Sequence, residues 1–421
     1  MRNLGSILLL VAVTLLGLTC HRVQRVTKTN LTYIYQEDPT IIHPSYRIFH
    51  NDESTTTLYL RVRSSEILYS KNNPEKSFRS RMVLNANVYK ADDEKEMVDS
   101  DTVFMYDKGG PDKIKYLIGE MQLQLPAGSK YIAEITLDDQ FRMQYVQDVV
   151  LIDKKDELSE ENFLLKDENG NIQFGYAFPI GTKLFIEANT DLGDQVSLKY
   201  FERTGSLPSP PFSNQNIKGV NYQADSVTMI KTNTPNKFEI QLHKRGIYQF
   251  RREDGNEKGL NIVAAGPFFP EIRTLNDMVK PIRYITTKQE YRTITDGLNL
   301  KKGMDDFWYN VAGNAERAAE IIKSYYSRVE MTNRFFTSDR EGWKTDRGLI
   351  YIIYGPPNVV FKTLHYESWV YNEKNNMTSV EFTFYKVDNP FSQNDYYLSR
   401  SGSLKSSWYR AIDNWRQGRV F

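Results

Sequence analysis

The side chains best suited to acid–base chemistry lie near the C-terminal end of the sequence. Glu341, Asp346 and Glu367 supply carboxylates. Arg340 and Arg347 could each hold a carboxylate through two parallel hydrogen bonds. Glycoside hydrolysis requires two carboxylates placed roughly 5–9.5 Å apart, one of which acts as the acid. One hypothesis is therefore a periplasmic or surface hydrolase that processes carbohydrate, with its acid groups in this part of the chain.

A structural interpretation of residues 340–358 competes with the catalytic one. In this interpretation Asp346 caps a turn and Arg347 pairs with it. Trp343 fills the core, because burying a tryptophan stabilises a fold more than leaving it exposed as a binding platform. Asn358 is then a turn residue. The stretch would in that case fix how its neighbouring elements meet.

The elements around these side chains can be predicted from apolar patterns. Leu349 to Tyr354 is an unbroken run of apolar and aromatic residues, which predicts a strand buried on both faces. Gly355, Pro356 and Pro357 end this strand, since proline cannot donate to a ladder.

A long amphipathic helix is predicted between Asn314 and Phe336, with Asn314 as its N-cap. Two strands follow the central run, at Tyr366–Tyr371 and Val380–Val387, and a last helix closes near Gly418. These elements predict a compact α+β module. The apolar face of the long helix is Ala318, Ile322, Tyr325, Val329 and Phe336, and that of the last helix is Leu404, Trp408, Ile412 and Trp415.

Period-two alternation dominates the chain before this module. Leu58, Leu60 and Val62 lie on one predicted face, and similar alternation recurs up to about Asp156, which predicts an antiparallel sandwich. A second set of alternating segments runs from about residue 161 to residue 265 and predicts another. Within it, the proline-rich residues 205–213 could be a ligand for an aromatic groove or, more simply, an exposed loop.

The composition bears on several function classes. The 421 residues include 54 Lys and Arg against 53 Asp and Glu, so no global field would gather nucleic acid. The five histidines, at positions 21, 43, 50, 243 and 365, lack the spacing of a zinc site. The sequence contains no phosphate-binding glycine loop and no nucleophile elbow. We therefore expect no metal and no cofactor.

The first residues indicate export. Arg2 precedes an apolar segment from Leu4 to Leu18, which at roughly 15 residues is too short to span a membrane and is typical of a signal peptide. Cys20, the only cysteine, closes the segment. This arrangement resembles a bacterial lipoprotein signal, in which the cysteine becomes the acylated first residue. An ordinary cleaved signal is the alternative.

A set of separated motifs resembles one known family. The sequence Gly-Trp-Lys-Thr-Asp at 342–346 is followed by Arg-Gly, by Ile-Tyr-Ile-Ile-Tyr-Gly-Pro-Pro at 350–357 and by Tyr-Glu-Ser-Trp-Val-Tyr at 366–371. This order is similar to GWxTD-domain proteins, a family of exported, often lipid-anchored proteins of Bacteroidota and neighbouring phyla, and the likeness covers roughly residues 307–421. Asn358 stands where the family commonly has aspartate. The resemblance implies an envelope location and an accessory role in protein export, including type IX secretion, or in surface assembly.

The motif side chains that could bind a partner or serve structure form the candidate site. They are Gly342, Trp343, Thr345, Asp346, Arg347, Gly348, Tyr354, Gly355, Pro356, Pro357, Glu367 and Trp369.

These patterns predict a multidomain, mainly β protein with two tandem antiparallel β-sandwich modules and a C-terminal α+β module. The favoured function is a non-enzymatic lipoprotein that acts as a scaffold at the outer membrane, facing the periplasm. Its expected contacts are the membrane, through the lipid on Cys20, and other envelope proteins. The predicted boundaries are a signal peptide at 1–19, a tether at 20–30, sandwiches at 31–156 and 157–268, and the α+β module at 269–421.

Overall fold

A computed structural model describes residues 30–36, 40–72, 75–92, 96–110, 114–202, 206–213, 223–232, 236–252, 259–363, 365–372 and 379–419. The predicted signal peptide, Cys20 and the tether up to residue 29 lie outside the described residues. Short 3-10 helices occur at Thr32–Tyr35, Ser64–Glu66, Glu160–Asn162, Pro281–Tyr284, Gly342–Lys344 and Gly402–Leu404.

The first sandwich packs two antiparallel sheets face to face. One sheet has the order β1-β2-β5 and the other the order β4-β3-β6-β7. The predicted alternation is confirmed, because Leu58, Leu60 and Val62 are fully buried between the sheets. The strands are β1 (Ser45–His50), β2 (Thr55–Arg63), β3 (Arg79–Lys90), β4 (Met97–Lys108), β5 (Tyr116–Gln124), β6 (Lys130–Asp139) and β7 (Gln144–Asp153).

The second sandwich also packs two sheets, with the orders β13-β10-β8 and β12-β11-β14-β15-β9. Its pairs are antiparallel except for β9 with β15, which run parallel. The strands are β8 (Phe163–Lys166), β9 (Ala177–Pro179), β10 (Lys183–Ala188), β11 (Gln195–Phe201), β12 (Ser226–Lys231), β13 (Lys237–Gln241), β14 (Gly246–Arg251) and β15 (Leu260–Ala265).

The C-terminal part combines helices with one antiparallel sheet of order β16-β17-β18-β19. The fold class is thus confirmed as mainly β, with an α+β C-terminal part. The helices are α1 (Leu275–Val279), α2 (Lys288–Thr295), α3 (Leu300–Ala312), α4 (Ala315–Phe336), α5 (Asp346–Tyr354) and α6 (Lys405–Arg416), and the strands are β16 (Val359–Lys362), β17 (Tyr366–Tyr371), β18 (Val380–Lys386) and β19 (Tyr396–Leu398).

Both predicted amphipathic helices are present. The Asn314 side chain accepts a hydrogen bond from the backbone N–H of Arg317 and caps α4 as predicted. Trp408 and Trp415 of α6 are buried in the same core as Tyr325 of α4. Capping chemistry and helical spacing therefore located these helices correctly.

The strand predicted at residues 349–354 is wrong, because this run forms the helix α5. Thr345 caps its N-terminus by accepting from the N–H of Gly348. Gly355 ends it with φ of 82°, a conformation that glycine adopts without steric cost. The helix is buried on all sides, so its sequence shows neither the period of a helix nor that of a strand. A buried helix and a buried strand both give an unbroken apolar run.

The second sandwich contacts the C-terminal part at several places among the described residues. Phe391, which follows β18, packs edge-on against Phe201 of β11 with ring centroids 4.8 Å apart. The proline-rich segment is not an exposed loop, since the N–H of Ser401 donates to the carbonyl of Pro211 at 3.0 Å. Phe212 lies 5.4 Å from the ring of Tyr409 on α6. The described residues of the segment thus pack against the C-terminal part of the same chain.

The junction between the two sandwiches contains a carboxyl group with a strongly perturbed pKa. Burial, and then the charge of neighbouring Glu161, raise the pKa of Glu160 from its usual 4.5 to about 8, against the opposing influence of Arg47. A raised pKa in the folded state means that the native protein binds this proton more tightly than the unfolded chain does. The resulting stability is present below about pH 4.5 and is lost as the pH rises through about 8.

Glu160→Gln is therefore expected to flatten the fall in stability between these pH values, with a gain on the order of 2 kcal/mol at pH 8. This figure is below the full linkage value because the side chain is only partly buried and water screens it. Urea unfolding at a series of pH values measures the effect. The exposed Glu157→Gln is the control and should leave the profile unchanged. Parallel profiles for Glu160→Gln and the unmodified protein would contradict the prediction.

Candidate functional site

The predicted motif residues form a tight corner between the end of α4 and the start of α5. Gly342 lies against the last turn of α4, where a Cβ atom would stand 1.7 Å from the carbonyl oxygen of Thr332. Gly348, in the first turn of α5, faces the carbonyl oxygen of Gly342, and a Cβ there would stand 2.0 Å from it. Both glycines are thus required by close approach of backbone to backbone.

Trp343 and Thr345 hold this corner in place. Trp343 is 6% exposed, and its carbonyl accepts a hydrogen bond of 2.7 Å from the Tyr284 hydroxyl. The hydroxyl of Thr345 donates to the carbonyl of Gly342 at 2.7 Å and accepts from the N–H of Gly348 at 3.0 Å. These contacts support the core role predicted for Trp343 and make Thr345 the N-cap.

Asp346 does not pair with Arg347 as the structural interpretation expected. Its carboxylate accepts from the guanidinium of Arg400 and, at 2.8 Å, from the backbone N–H of Leu398. Arg400 also donates to the carbonyl of Ser209 at 3.2 Å. Asp346 therefore links the start of α5 to strand β19 and, through Arg400, to the proline-rich segment.

Arg347 instead forms a buried ion pair with Glu367 of β17. Its Nη1 lies 3.0 Å from Glu367 Oε2, and the two side chains are 4% and 0% exposed. Its Nη2 donates to the carbonyl of Asn394 at 2.9 Å, and its guanidinium lies over the ring of Tyr396. Burial, the largest single influence, lowers the pKa of Arg347, but the charges of Glu367, Tyr35 and Tyr396 and the hydrogen bond to Glu367 together outweigh it. The pKa is therefore raised and the side chain stays charged.

The other oxygen of Glu367 has two further donors. The indole N–H of Trp369 donates to Oε1 at 2.9 Å, and the hydroxyl of Tyr35 donates to it at 2.6 Å. Burial, and then the charge of Glu367, raise the pKa of Tyr35 well above its usual value, so this hydroxyl keeps its proton. We call Tyr35, Arg347, Glu367, Trp369 and Asn394 the buried polar cluster.

Tyr35 reaches this cluster because residues 30–35 lie along the C-terminal part. The N–H of Leu31 donates to the carbonyl of Val360 at 3.0 Å, and the N–H of Val360 donates to the Asn30 side chain at 2.9 Å. The carbonyl of Tyr35 accepts from the Tyr351 hydroxyl at 2.7 Å. Leu31 and Tyr35 are buried in the C-terminal core, although the sequence placed them at the start of the first sandwich.

The remaining motif residues are packed around the end of α5. Tyr354 contacts the rings of Tyr371 and Phe382, with centroids 5.2 and 4.9 Å away. The carbonyl of Gly355 accepts from the Tyr371 hydroxyl at 2.8 Å. Pro356 is exposed, while Pro357 is buried and its carbonyl accepts from the hydroxyl of Thr32.

Asn358 stands where a carboxylate was expected from the family pattern. Its side-chain oxygen accepts from the N–H of Asn372 at 2.8 Å. Its carbonyl accepts from the Asn30 side chain at 3.1 Å. These bonds support the turn role predicted for Asn358.

Each of the three candidate carboxylates pairs with a different cation. Asp346 pairs with Arg400, Glu367 pairs with Arg347, and Glu341 lies 2.5 Å from the Lys344 ammonium. The cavity beside Trp343 has a volume of about 30 Å³, enough for a water molecule but far below the usual size of a ligand pocket. Each carboxylate that the hydrolase hypothesis names is thus held by a cation of the same chain.

Some important partners could not be found from sequence. Tyr35 and Glu367 are 332 residues apart, and Asp346 and Arg400 are 54 apart. Asn394 lies in a loop without any periodic pattern. No local signal joins such residues, whereas the motif itself was recognisable because its members are adjacent.

The described ranges contain neither a group of metal-binding side chains nor a membrane-spanning helix. No three His, Cys, Asp or Glu side chains are grouped so that they could hold a metal ion. None of the helices there is both long enough and apolar enough to cross a membrane.

Comparisons with known proteins identify part of the chain. None of the curated proteins compared with it matches. Among solved structures, a glycosyl hydrolase family 2 member from Bacteroides cellulosilyticus is 6% identical, with a TM-score of 0.19, over 31% of this chain and 15% of that one. A putative beta-galactosidase from Bacteroides fragilis is 10% identical, with a TM-score of 0.19, over 36% and 19%. Red sea bream transglutaminase is 12% identical, with a TM-score of 0.18, over 53% and 31%.

This chain therefore spans less than a third of the length of each of these structures. The family model of the GWxTD domain matches residues 246–417, which include β14 and β15 of the second sandwich and so begin earlier than the predicted resemblance. The corner formed by the motif lies inside this match, and so does the buried polar cluster with the exception of Tyr35. Residues 246–417 of this chain are a GWxTD domain.

Proposed function

We propose that this chain is a non-enzymatic cell-envelope lipoprotein that acts as a scaffold or docking component at the outer membrane. The observation that carries the proposal is the structural use of the motif. The side chains of Asp346 and Arg347 bond to distant parts of the chain, and that of Thr345 bonds to Gly342 and Gly348 within the motif. A motif whose polar groups are engaged in this way supports a rigid body better than it supports a reaction.

The links made by these groups reach several parts of the molecule. Arg347 and Glu367 hold residues 30–35 through Tyr35, and Asp346 with Arg400 holds the proline-rich segment of the second sandwich. Contacts of this kind favour a fixed arrangement of modules, which suits a protein that positions other proteins.

The location is proposed from the sequence. The apolar segment ending at Cys20 supports export and acylation of that cysteine. The family resemblance supports the finer proposal of accessory work in protein export, including type IX secretion, or in surface assembly. The partners would be other proteins of the envelope.

Cys20→Ala is expected to release the protein from the membrane fraction, because the cysteine is the only thiol and the proposed site of the lipid. Fractionation of cells and mass spectrometry of the mature N-terminus measure this. Crosslinked affinity capture should then recover an outer-membrane protein with the unmodified chain and less of it with Cys20→Ala.

A mature N-terminus downstream of Cys20, or an N-terminal Cys20 without an acyl chain, would contradict the anchor. Capture that recovers no outer-membrane protein from crosslinked envelopes would contradict the scaffold role. Exposed Lys301→Ala is the matched control for expression and should behave like the unmodified protein in both measurements.

A further inference from the structure

The outer face of the sheet β4-β3-β6-β7, turned away from the sandwich core, carries a row of uncharged polar side chains. Strand pairing aligns Thr102, Asn85, Thr136 and Gln147 across the sheet. With strands about 4.8 Å apart, this row spans roughly 14 Å. Amide and hydroxyl groups of this kind both donate and accept hydrogen bonds.

The next row along the strands brings aromatic rings beside the polar one. It contains Phe104, Val83, Asp138 and Tyr145, in register across the same strands. Phe104 and Tyr145 are 51% and 65% exposed, so their rings border the polar row instead of filling a core. Residues two apart on a strand are about 7 Å apart, which places the rings within reach of a ligand on the polar row.

Three members of the polar row, Asn85, Thr102 and Thr136, line a shallow concavity. Its volume is about 570 Å³, and its lining is Asn85, Asn87, Ser100, Asp101, Thr102 and Thr136. The Thr102 hydroxyl donates to the side-chain oxygen of Asn85 at 2.7 Å, a bond that does not use the amide N–H donors of Asn85.

The charges on this face argue against polyanions. Asp138 and Glu134 carry negative charge there, with Glu134 aligned beside Asn87, and Asp101 lines the concavity. The positive charge of Arg81 on this face is directed at aromatic rings, since its guanidinium lies 5.5 and 5.9 Å from the ring centroids of Phe104 and Tyr106. A nucleic acid would meet acidic groups, and an apolar ligand would leave the amides without partners.

We propose that this face binds a neutral oligosaccharide. Sugar hydroxyls donate and accept, as the amide and hydroxyl row requires, and the apolar faces of sugar rings pack on exposed aromatic rings. The span of the row accommodates two or three sugar rings. This site is on the first sandwich, outside the GWxTD domain, and is independent of the scaffold role proposed above.

Titration calorimetry of the full chain with neutral hexaoses tests the proposal, using β-1,4-linked glucose, mannose, xylose and N-acetylglucosamine oligomers. At least one hexaose should bind. Tyr145→Ala and Asn87→Ala should each weaken that binding about tenfold. Both side chains are exposed, so the variants should fold normally, which thermal unfolding checks.

Tyr309→Ala is the matched control, since Tyr309 is a similarly exposed tyrosine, at 56%, on α3. It should bind the hexaose with unchanged affinity. The proposal is overturned if none of the four oligomers binds up to its solubility limit. It is equally overturned if binding survives unchanged in both Tyr145→Ala and Asn87→Ala. Neither result would bear on acylation of Cys20 or on capture of an envelope partner.

Discussion

Replacing Arg347 with methionine is expected to lower the free energy of unfolding of the GWxTD domain by about 3–5 kcal/mol. The change leaves the carboxylate of Glu367 fully buried without its cation. Trp369 and Tyr35 would still donate to one of its oxygens, but neither carries a positive charge. The loss is large because the desolvation free energy of the buried carboxylate is no longer offset by attraction to a cation.

Urea unfolding at neutral pH measures this loss, and a second readout separates charge from packing. Methionine is similar in length to the arginine stem, so most of the contact with Phe336 and Tyr396 can be retained. Adding Glu367→Gln to Arg347→Met should restore part of the stability, because the neutral amide has no charge to bury. A loss caused by poor packing around position 347 would not be recovered by this second change.

Lys301→Met is the matched control for the loss of a cation. Lys301 pairs with Asp305 on the surface of α3, where the side chains are 75% and 62% exposed. Such pairs contribute about 0.5 kcal/mol or less. If Arg347→Met cost no more than Lys301→Met, the ion pair with Glu367 would not be a structural requirement of the domain.

Sequence patterns located the elements whose two faces differ in polarity. The alternation in β2 and the helical spacing in α4 were visible because one face of each element meets the core and the other meets water. Asn314 and Gly418 added chemical end signals. The same reasoning failed for α5, where burial on every side removes the contrast on which periodicity depends.

The motif was recognised from its letters, but its geometry was not. Sequence neighbours suggested an Asp346–Arg347 pair, yet successive residues of a helix point in different directions. Arg347 therefore extends towards β17 while Asp346 faces the chain after β19. Pairing across the fold depends on where β17 and β19 lie, which no local spacing encodes.

The docking of residues 30–35 on the GWxTD domain could not be predicted from local spacing either. Its hydrogen bonds to Asn358 and Val360 join residues more than 300 positions apart. The segment also has too few residues for a periodic pattern. Such a contact can be found only when both ends of the chain are placed in space.

Replacing Gly342 with alanine is expected to destabilise the GWxTD domain by at least about 3 kcal/mol. The added methyl group would stand 1.7 Å from the carbonyl oxygen of Thr332 and 2.9 Å from the nitrogen of Asn333. These are backbone atoms of α4, so no side-chain rotation can relieve the clash. The corner must open, and Trp343 must then shift in its packing against Tyr284. Thermal and urea unfolding measure the loss.

Gly402→Ala provides the control for this substitution, because the space around Gly402 has no atom within 4 Å of the added carbon. Gly402 is exposed in a short 3-10 helix, and its change should alter stability by no more than about 0.5 kcal/mol. If Gly342→Ala were as stable as Gly402→Ala, α4 and the motif could separate at little cost. The first glycine of the motif would then serve something other than close packing. A loss of several kcal/mol, with the Gly402 variant unchanged, would instead establish that position 342 requires glycine because two backbones meet there.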